Sequence, residues 1–117
     1  MFEDAVVEAG AAALVRVLDA VRHLDPEVDA AGRIDRIRLL EELKSAAAAA
    51  QALETAAFAA DQRAEQAAAG VKDAQIARSV AGQVGLARRV SPFQARRYVG
   101  WVTILTAELP PHLPGVG

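Results

Sequence analysis

The feature that most constrains this fold is the run of residues 34–69, which holds neither Gly nor Pro. The run consists mostly of Ala, Leu, Glu, Gln, Lys and Arg, the residues with the highest helix propensity. An unbroken run of this length predicts one long helix. The rest of the chain also shows helical spacing, so we expect an all-α fold in which one long alanine-rich helix packs with three shorter helices.

Apolar residues recur along the long helix at alternating steps of three and four, which is the spacing of a coiled-coil seam. Alanine dominates this seam. It lets a neighbouring backbone approach closely but removes little apolar area from water, at about 25 cal/mol per Å². The large core residues must therefore come from other helices. The seam consists of Leu39, Leu43, Ala46, Ala50, Leu53, Ala57, Ala60, Ala64 and Ala67.

The length of this helix predicts self-association. At about 1.5 Å per residue the helix spans roughly 54 Å, whereas a compact domain of this size is about 30 Å across. Part of the apolar stripe then extends beyond the chain's own helices, and we expect a second copy to cover it in a homodimer. The alternative is that the seam is internal to a four-helix core. The residues expected to carry self-association are Ala50, Leu53, Ala57, Ala60 and Ala64.

The ends of the first two helices follow from local signals. A first helix is predicted over residues 3–24 and ends at Asp25-Pro26, because Pro cannot continue the helical hydrogen bonds and restricts the residue before it. Asp29 is the expected N-cap of the long helix. Gly70 stands where a left-handed residue is needed, so we expect the long helix to end beside it.

The clearest local signal is Ser91-Pro92-Phe93-Gln94. Ser at the N-cap and Gln three residues later form a capping box, and Pro suits the first helical position. A fourth helix is therefore predicted to begin here, after a third helix over residues 73–88.

The fourth helix is expected to end at Pro110-Pro111. It is also expected to supply the core bulk that the alanine seam lacks, with Trp101 and Ile104 widening its apolar surface. Together these elements predict a single helical domain over residues 1–109 and a disordered Pro- and Gly-rich tail over residues 110–117.

The charges are unevenly distributed. Residues 1–71 hold seven basic and thirteen acidic residues, a net charge of −6, whereas residues 72–117 hold six basic and two acidic residues, a net charge of +4. This asymmetry favours an anionic partner for the C-terminal part. The alternative is that the two parts attract each other.

A basic surface near Ser91 predicts a DNA contact. The third and fourth helices resemble a helix-turn-helix outline, in which Ser91 and Phe93 begin an exposed face that fits a major groove. However, Arg88 stands where an apolar residue usually closes the turn, and the turn contains no Gly. An αα-corner with a solvated basic face is therefore the favoured alternative. The candidate nucleic-acid contacts are Arg78, Arg88, Arg89, Arg96 and Arg97.

No catalytic, cofactor or metal site is predicted. His23 and His112 lie far apart, and the chain contains no Cys. The carboxylates of the long helix lack the Glu-x-x-His companion of a di-metal bundle, so they predict a solvated face; they are Glu41, Glu42, Glu54, Asp61 and Glu65. We expect no small-molecule substrate. The chain has no apolar run of about 20 residues and an acidic N-terminus, so we expect a cytoplasmic protein without membrane contact.

Several motifs in residues 69–109 resemble the actinobacterial 13E12-repeat family of mycobacteria, and the similar region covers about residues 30–110. In that family a helical domain of unknown function, number 222, commonly precedes an HNH nuclease module. This chain is expected to be truncated relative to the family and lacks a counterpart of the nuclease His and Asn motif, so no nuclease residue is carried over. The motifs are Gly70-Val71, Arg78-Ser79-Val80-Ala81, Leu86-Ala87-Arg88-Arg89-Val90-Ser91-Pro92, Ala95-Arg96 and Leu109-Pro110.

Three functions remain open on the sequence. The first is a non-enzymatic helical module of the 13E12-repeat type. The second is a small DNA-binding module that uses the basic helix beginning at Ser91. The third is a helical oligomerisation module that pairs through the alanine seam.

Overall fold

A computed structural model describes residues 2–108 of the chain, with side chains described over residues 10–107. Its elements are four α-helices: α1 (Phe2–Arg22), α2 (Ala30–Ala68), α3 (Asp73–Arg88) and α4 (Pro92–Glu108). The predicted all-α fold of one long helix and three shorter ones is confirmed. The predicted tail, residues 110–117, lies outside the described residues. None of the helices described is both long and apolar enough to cross a membrane.

The chain divides into two compact units, Met1–Leu40 and Glu41–Gly117, and α2 contributes to both. In the first unit, α1 ends two residues earlier than the sequence predicted. The connection to α2 is held by the Glu27 amide, which donates to Asp25 Oδ1 at 2.9 Å, and by Arg33 Nη2, which donates to the Pro26 carbonyl at 3.0 Å. The large apolar side chains described on α1, over residues 10–22, are exposed, among them Leu14, Val17, Leu18 and Val21.

Both ends of α2 follow the predicted capping chemistry. The Gly32 amide donates to Asp29 Oδ1 at 2.7 Å, so Asp29 caps the helix. At the other end Gly70 has a φ of 83°, and the Val71 amide donates to the Gln66 carbonyl at 2.9 Å. These are features of a Schellman motif, in which a left-handed residue lets amides beyond the helix reach its last carbonyls.

The core of the second unit is centred on α3. Ile76, Val80 and Val84 of α3 pack with Ala59 of α2, while Phe58, Val71, Tyr98 and Val99 cover them as partly buried neighbours. On α4 the buried residues are Ala95 and Val102. These contacts join the C-terminal part of α2 to α3 and α4.

Gly85 allows α3 and α4 to approach closely. A Cβ atom at this position would lie 3.2 Å from the Ala95 Cβ and 3.3 Å from the Val90 carbonyl oxygen. Both Gly85 and Ala95 are buried. A larger residue at either position would push the two helices apart.

The prediction that Trp101 and Ile104 add to the bulk that α4 supplies to the core is wrong. These side chains are 61% and 60% exposed, and the large side chain that is fully buried is Ile76 of α3. At about 100° per residue, Trp101 and Ile104 lie about 100° or more around the axis of α4 from the buried residues Ala95 and Val102. The apolar surface of α4 is wider than its contact with α3, so part of it remains outside the core.

Candidate binding surfaces

One side of the C-terminal part of α2 faces the core. Thr55 and Ala59 are buried there, and the Thr55 hydroxyl is satisfied because Oγ1 donates to the Gln51 carbonyl at 2.7 Å. Gln62 and Gln66 continue this side as half-buried residues, and Gln66 Nε2 donates to Gln62 Oε1 at 2.8 Å. We call this the core-facing stripe of α2.

The predicted self-association residues lie on the other side of α2. All five are exposed, and the largest of them, Leu53, is 51% exposed. At about 100° per residue, Ala57 lies roughly 160° around the helix from Thr55. The helix therefore carries one stripe that is used within the chain and a second stripe that faces solvent. We call the second stripe the α2 seam: Ala50, Leu53, Ala57, Ala60 and Ala64.

The turn between α3 and α4 is fixed at both ends by hydrogen bonds. Arg89 has a φ of 58°, and the Val90 amide donates to the Gly85 carbonyl at 3.0 Å, so α3 ends in a Schellman motif without Gly. The Gln94 amide then donates to Ser91 Oγ at 3.1 Å, and the Ser91 amide donates to Gln94 Oε1 at 3.4 Å. The predicted capping box is confirmed.

Arginine side chains surround this turn. The guanidinium carbon of Arg88 lies 4.0 Å from the centroid of the Tyr98 ring, and that of Arg97 lies 5.8 Å from the centroid of the Phe93 ring. Both distances are within the range of a cation–π interaction. Arg89 and Arg96 are exposed beside them. The ion pairs within the described part of the chain involve other residues: Asp19 of α1 with His23, and two pairs on α2.

The structure gives the candidate arginines different environments. Arg88 is half-buried on Tyr98, which explains how a charged residue occupies the position where an apolar one was expected to close the turn. Arg78 is exposed but lies ten residues earlier on α3, about 15 Å along the helix axis. We therefore define the basic surface as Arg89, Arg96 and Arg97, with Arg88 at its edge.

The acidic residues of the long helix do not converge on a site. Glu41, Glu42, Glu54, Asp61 and Glu65 are all exposed, and Glu41 Oε2 accepts a hydrogen bond from Lys44 Nζ at 3.3 Å. Over the described residues no group of three or more His, Cys, Asp and Glu side chains is placed to hold a metal ion. The arrangement is that of a solvated helix face.

Sequence reasoning missed a groove between α2, α3 and α4. Its volume is about 580 Å³, and its walls include the apolar residues Ile76, Val80 and Val99. Arg63, Asp73 and Arg96 also line it. No local pattern indicates such a groove, because its residues come from three helices and meet only in the folded unit.

Comparison of this chain with protein-family models, with curated proteins and with solved structures found no match. The resemblance to the 13E12-repeat family therefore stays a prediction that rests on the motifs of residues 69–109.

Proposed function

We propose that this protein is a non-enzymatic helical interaction module of the 13E12-repeat type, and that it associates with a second copy of itself through the α2 seam. The observation that carries the proposal is the exposure of Ala50, Leu53, Ala57, Ala60 and Ala64 opposite the core-facing stripe. A stripe with coiled-coil spacing that the chain's own helices do not cover is suited to a partner helix. An isologous pair covers the same stripe on both copies at once.

Charge supports an antiparallel pair of α2 helices. Residues 30–48 contain four basic and three acidic residues, a net charge of +1, whereas residues 49–68 contain one basic and three acidic residues, a net charge of −2. An antiparallel arrangement places each half against the half of opposite sign, and a parallel one places like against like. The alanines permit the close helix approach that such a pair needs.

The test is Ala57→Glu, with Ala48→Glu as the matched control. Ala57 is in the α2 seam, while Ala48 is also exposed but lies about 180° around the same helix. Glu is a good helix former, so both variants should keep their helix content by circular dichroism. Light scattering should give about twice the 12.3 kDa chain mass for the wild type and Ala48→Glu, and a single chain for Ala57→Glu, because pairing would bury an uncompensated carboxylate on each copy. Equal masses for all three proteins would contradict self-association through the α2 seam.

A second candidate function is nucleic-acid binding through the basic surface. The observation that favours it is the placement of Arg89, Arg96 and Arg97 around a turn held by a Schellman motif and a capping box. A fixed turn presents charges in one arrangement, which lowers the entropy lost on binding. The net charge of +4 over residues 72–117 also favours binding to nucleic acid, which is negatively charged.

The basic surface is tested by the double variant Arg96→Ala, Arg97→Ala. If both residues contact phosphates, the slope of log K against log salt on duplex DNA should fall by about 0.9 for each Arg removed, with little change in sequence preference. The control is Arg16→Ala, Arg22→Ala, which removes the same charge from exposed residues of α1. Nucleic-acid binding that responds equally to both double variants would show that only net charge matters.

A further inference from the structure

Two large aromatic side chains are exposed along one row of α4. Phe93 is 68% exposed and Trp101 is 61% exposed, with Arg97 between them at steps of four residues. Residues four apart lie above one another on a helix surface. The cation–π contact of Arg97 with Phe93, at 5.8 Å, holds this guanidinium group beside the row.

A surface depression of about 350 Å³ lies beside this row, lined by Arg96, Arg97, Gly100, Trp101 and Ile104. Gly100 leaves its floor open, because a Cβ atom there would meet no heavy atom within 4 Å. The depression therefore combines the Trp101 indole and the Ile104 side chain with two guanidinium groups and the uncovered backbone of Gly100.

The charge around the depression is positive. The acidic residue of α4, Glu108, lies eleven residues beyond Arg97, about 17 Å along the axis. Asp73 lines the neighbouring groove, which Arg63 and Arg96 also line. A ligand with flat apolar rings and negative charges fits this combination of groups.

We infer that this face of α4 binds single-stranded nucleic acid, with bases stacked on Trp101 and Phe93 and phosphates beside Arg96 and Arg97. The inference rests on the nucleic-acid candidate above and names the form of nucleic acid. In a duplex the faces of the bases are covered by their neighbours, whereas a single strand exposes them to aromatic side chains. The two rings lie eight residues apart, about 12 Å along the helix, so each takes a different base.

Trp101 provides a direct probe because it is the single Trp of the chain. We expect a 12-nucleotide oligothymidylate to quench its fluorescence in a saturable way, since stacking brings a base onto the indole. The matching thymidylate–adenylate duplex should quench it far less. The single-strand affinity should fall with salt, with a log–log slope of about −0.7 for each phosphate contacted.

Two substitutions test the geometry. Gly100→Leu fills the depression and also raises helix propensity, so a loss of binding is not explained by loss of the helix. Its control is Gly82→Leu on α3, where a Cβ atom likewise meets nothing within 4 Å. We expect roughly tenfold weaker oligothymidylate binding for Gly100→Leu and for Phe93→Leu, the effect of losing one stacked base, and an unchanged affinity for Gly82→Leu.

The outcomes separate this inference from the one it rests on. Equal affinity for single strand and duplex, with no effect of Gly100→Leu or Phe93→Leu, would overturn stacking and leave the basic surface as a duplex contact. If neither the single strand nor the duplex binds at low salt, both this inference and the proposed nucleic-acid binding would be overturned. Quenching by polyglutamate as strong as that by the oligonucleotide would also overturn the inference, because the face would then select charge alone.

Discussion

Arg89 holds a conformation that residues with a side chain rarely adopt. Its φ of 58° lies in the left-handed region, which costs a residue with a Cβ atom about 1–2 kcal/mol relative to glycine. The Schellman hydrogen bonds from the Arg89 and Val90 amides to Leu86 and Gly85 offset this cost. Arginine at this position also gives the turn a positive charge, which glycine would not.

We therefore expect Arg89→Gly to raise the free energy of unfolding by about 1 kcal/mol. Urea denaturation followed by circular dichroism measures the change, provided that the m-value is the same in both proteins. Arg96→Gly is the matched control: Arg96 is exposed inside α4, where glycine should lower stability by about 1 kcal/mol. A loss of stability in Arg89→Gly would contradict the assigned turn.

At the scale of elements, the sequence predicts where helices begin and end because capping is local chemistry. Asp29, Gly70 and the Ser91–Gln94 pair act on amides and carbonyls within a few residues, so their effects are visible without a tertiary structure. Arg89 is the exception. Arg89 stands where glycine usually ends a helix, so in the sequence the absence of Gly counted against a helix-turn-helix.

The faces of the helices are harder to predict from sequence. The core-facing stripe of α2 has the same steps of three and four as the α2 seam, but Thr55, Gln62 and Gln66 give it no apolar signal. It becomes the core side only because Ile76 and Val80 of α3 meet Ala59 there. For the same reason, the apolar pattern of α4 did not show that Trp101 would be exposed.

Within the second unit, the two proposed surfaces use different sides of the structure. The α2 seam lies opposite the stripe that meets α3, whereas the basic surface and the depression on α4 lie beyond that contact. Self-association through the seam therefore leaves Arg96, Arg97 and Trp101 accessible. A dimer then presents two basic surfaces, and linked sites on one nucleic acid bind more tightly than either alone.

The α2 seam as an interface between two copies is the central claim, and disulfide trapping tests it most directly. The chain contains no Cys, so a single introduced Cys can form a disulfide only with the same residue of the other copy. When two α2 helices, Ala30–Ala68, pair antiparallel along their full length, the centre of the contact lies at about residue 49. Ala50 then lies close to Ala50 of the other copy, whereas Ala64 lies about 22 Å along the helix from the centre and Ala48 points away.

Under mild oxidation, we expect Ala50→Cys to form a disulfide-linked dimer on a non-reducing gel, and Ala48→Cys and Ala64→Cys to remain mostly single chains. Rapid linking of Ala64→Cys as well would indicate parallel pairing through the same seam. Linking of Ala48→Cys in preference to Ala50→Cys, or no difference between the two, would contradict an interface formed by the α2 seam.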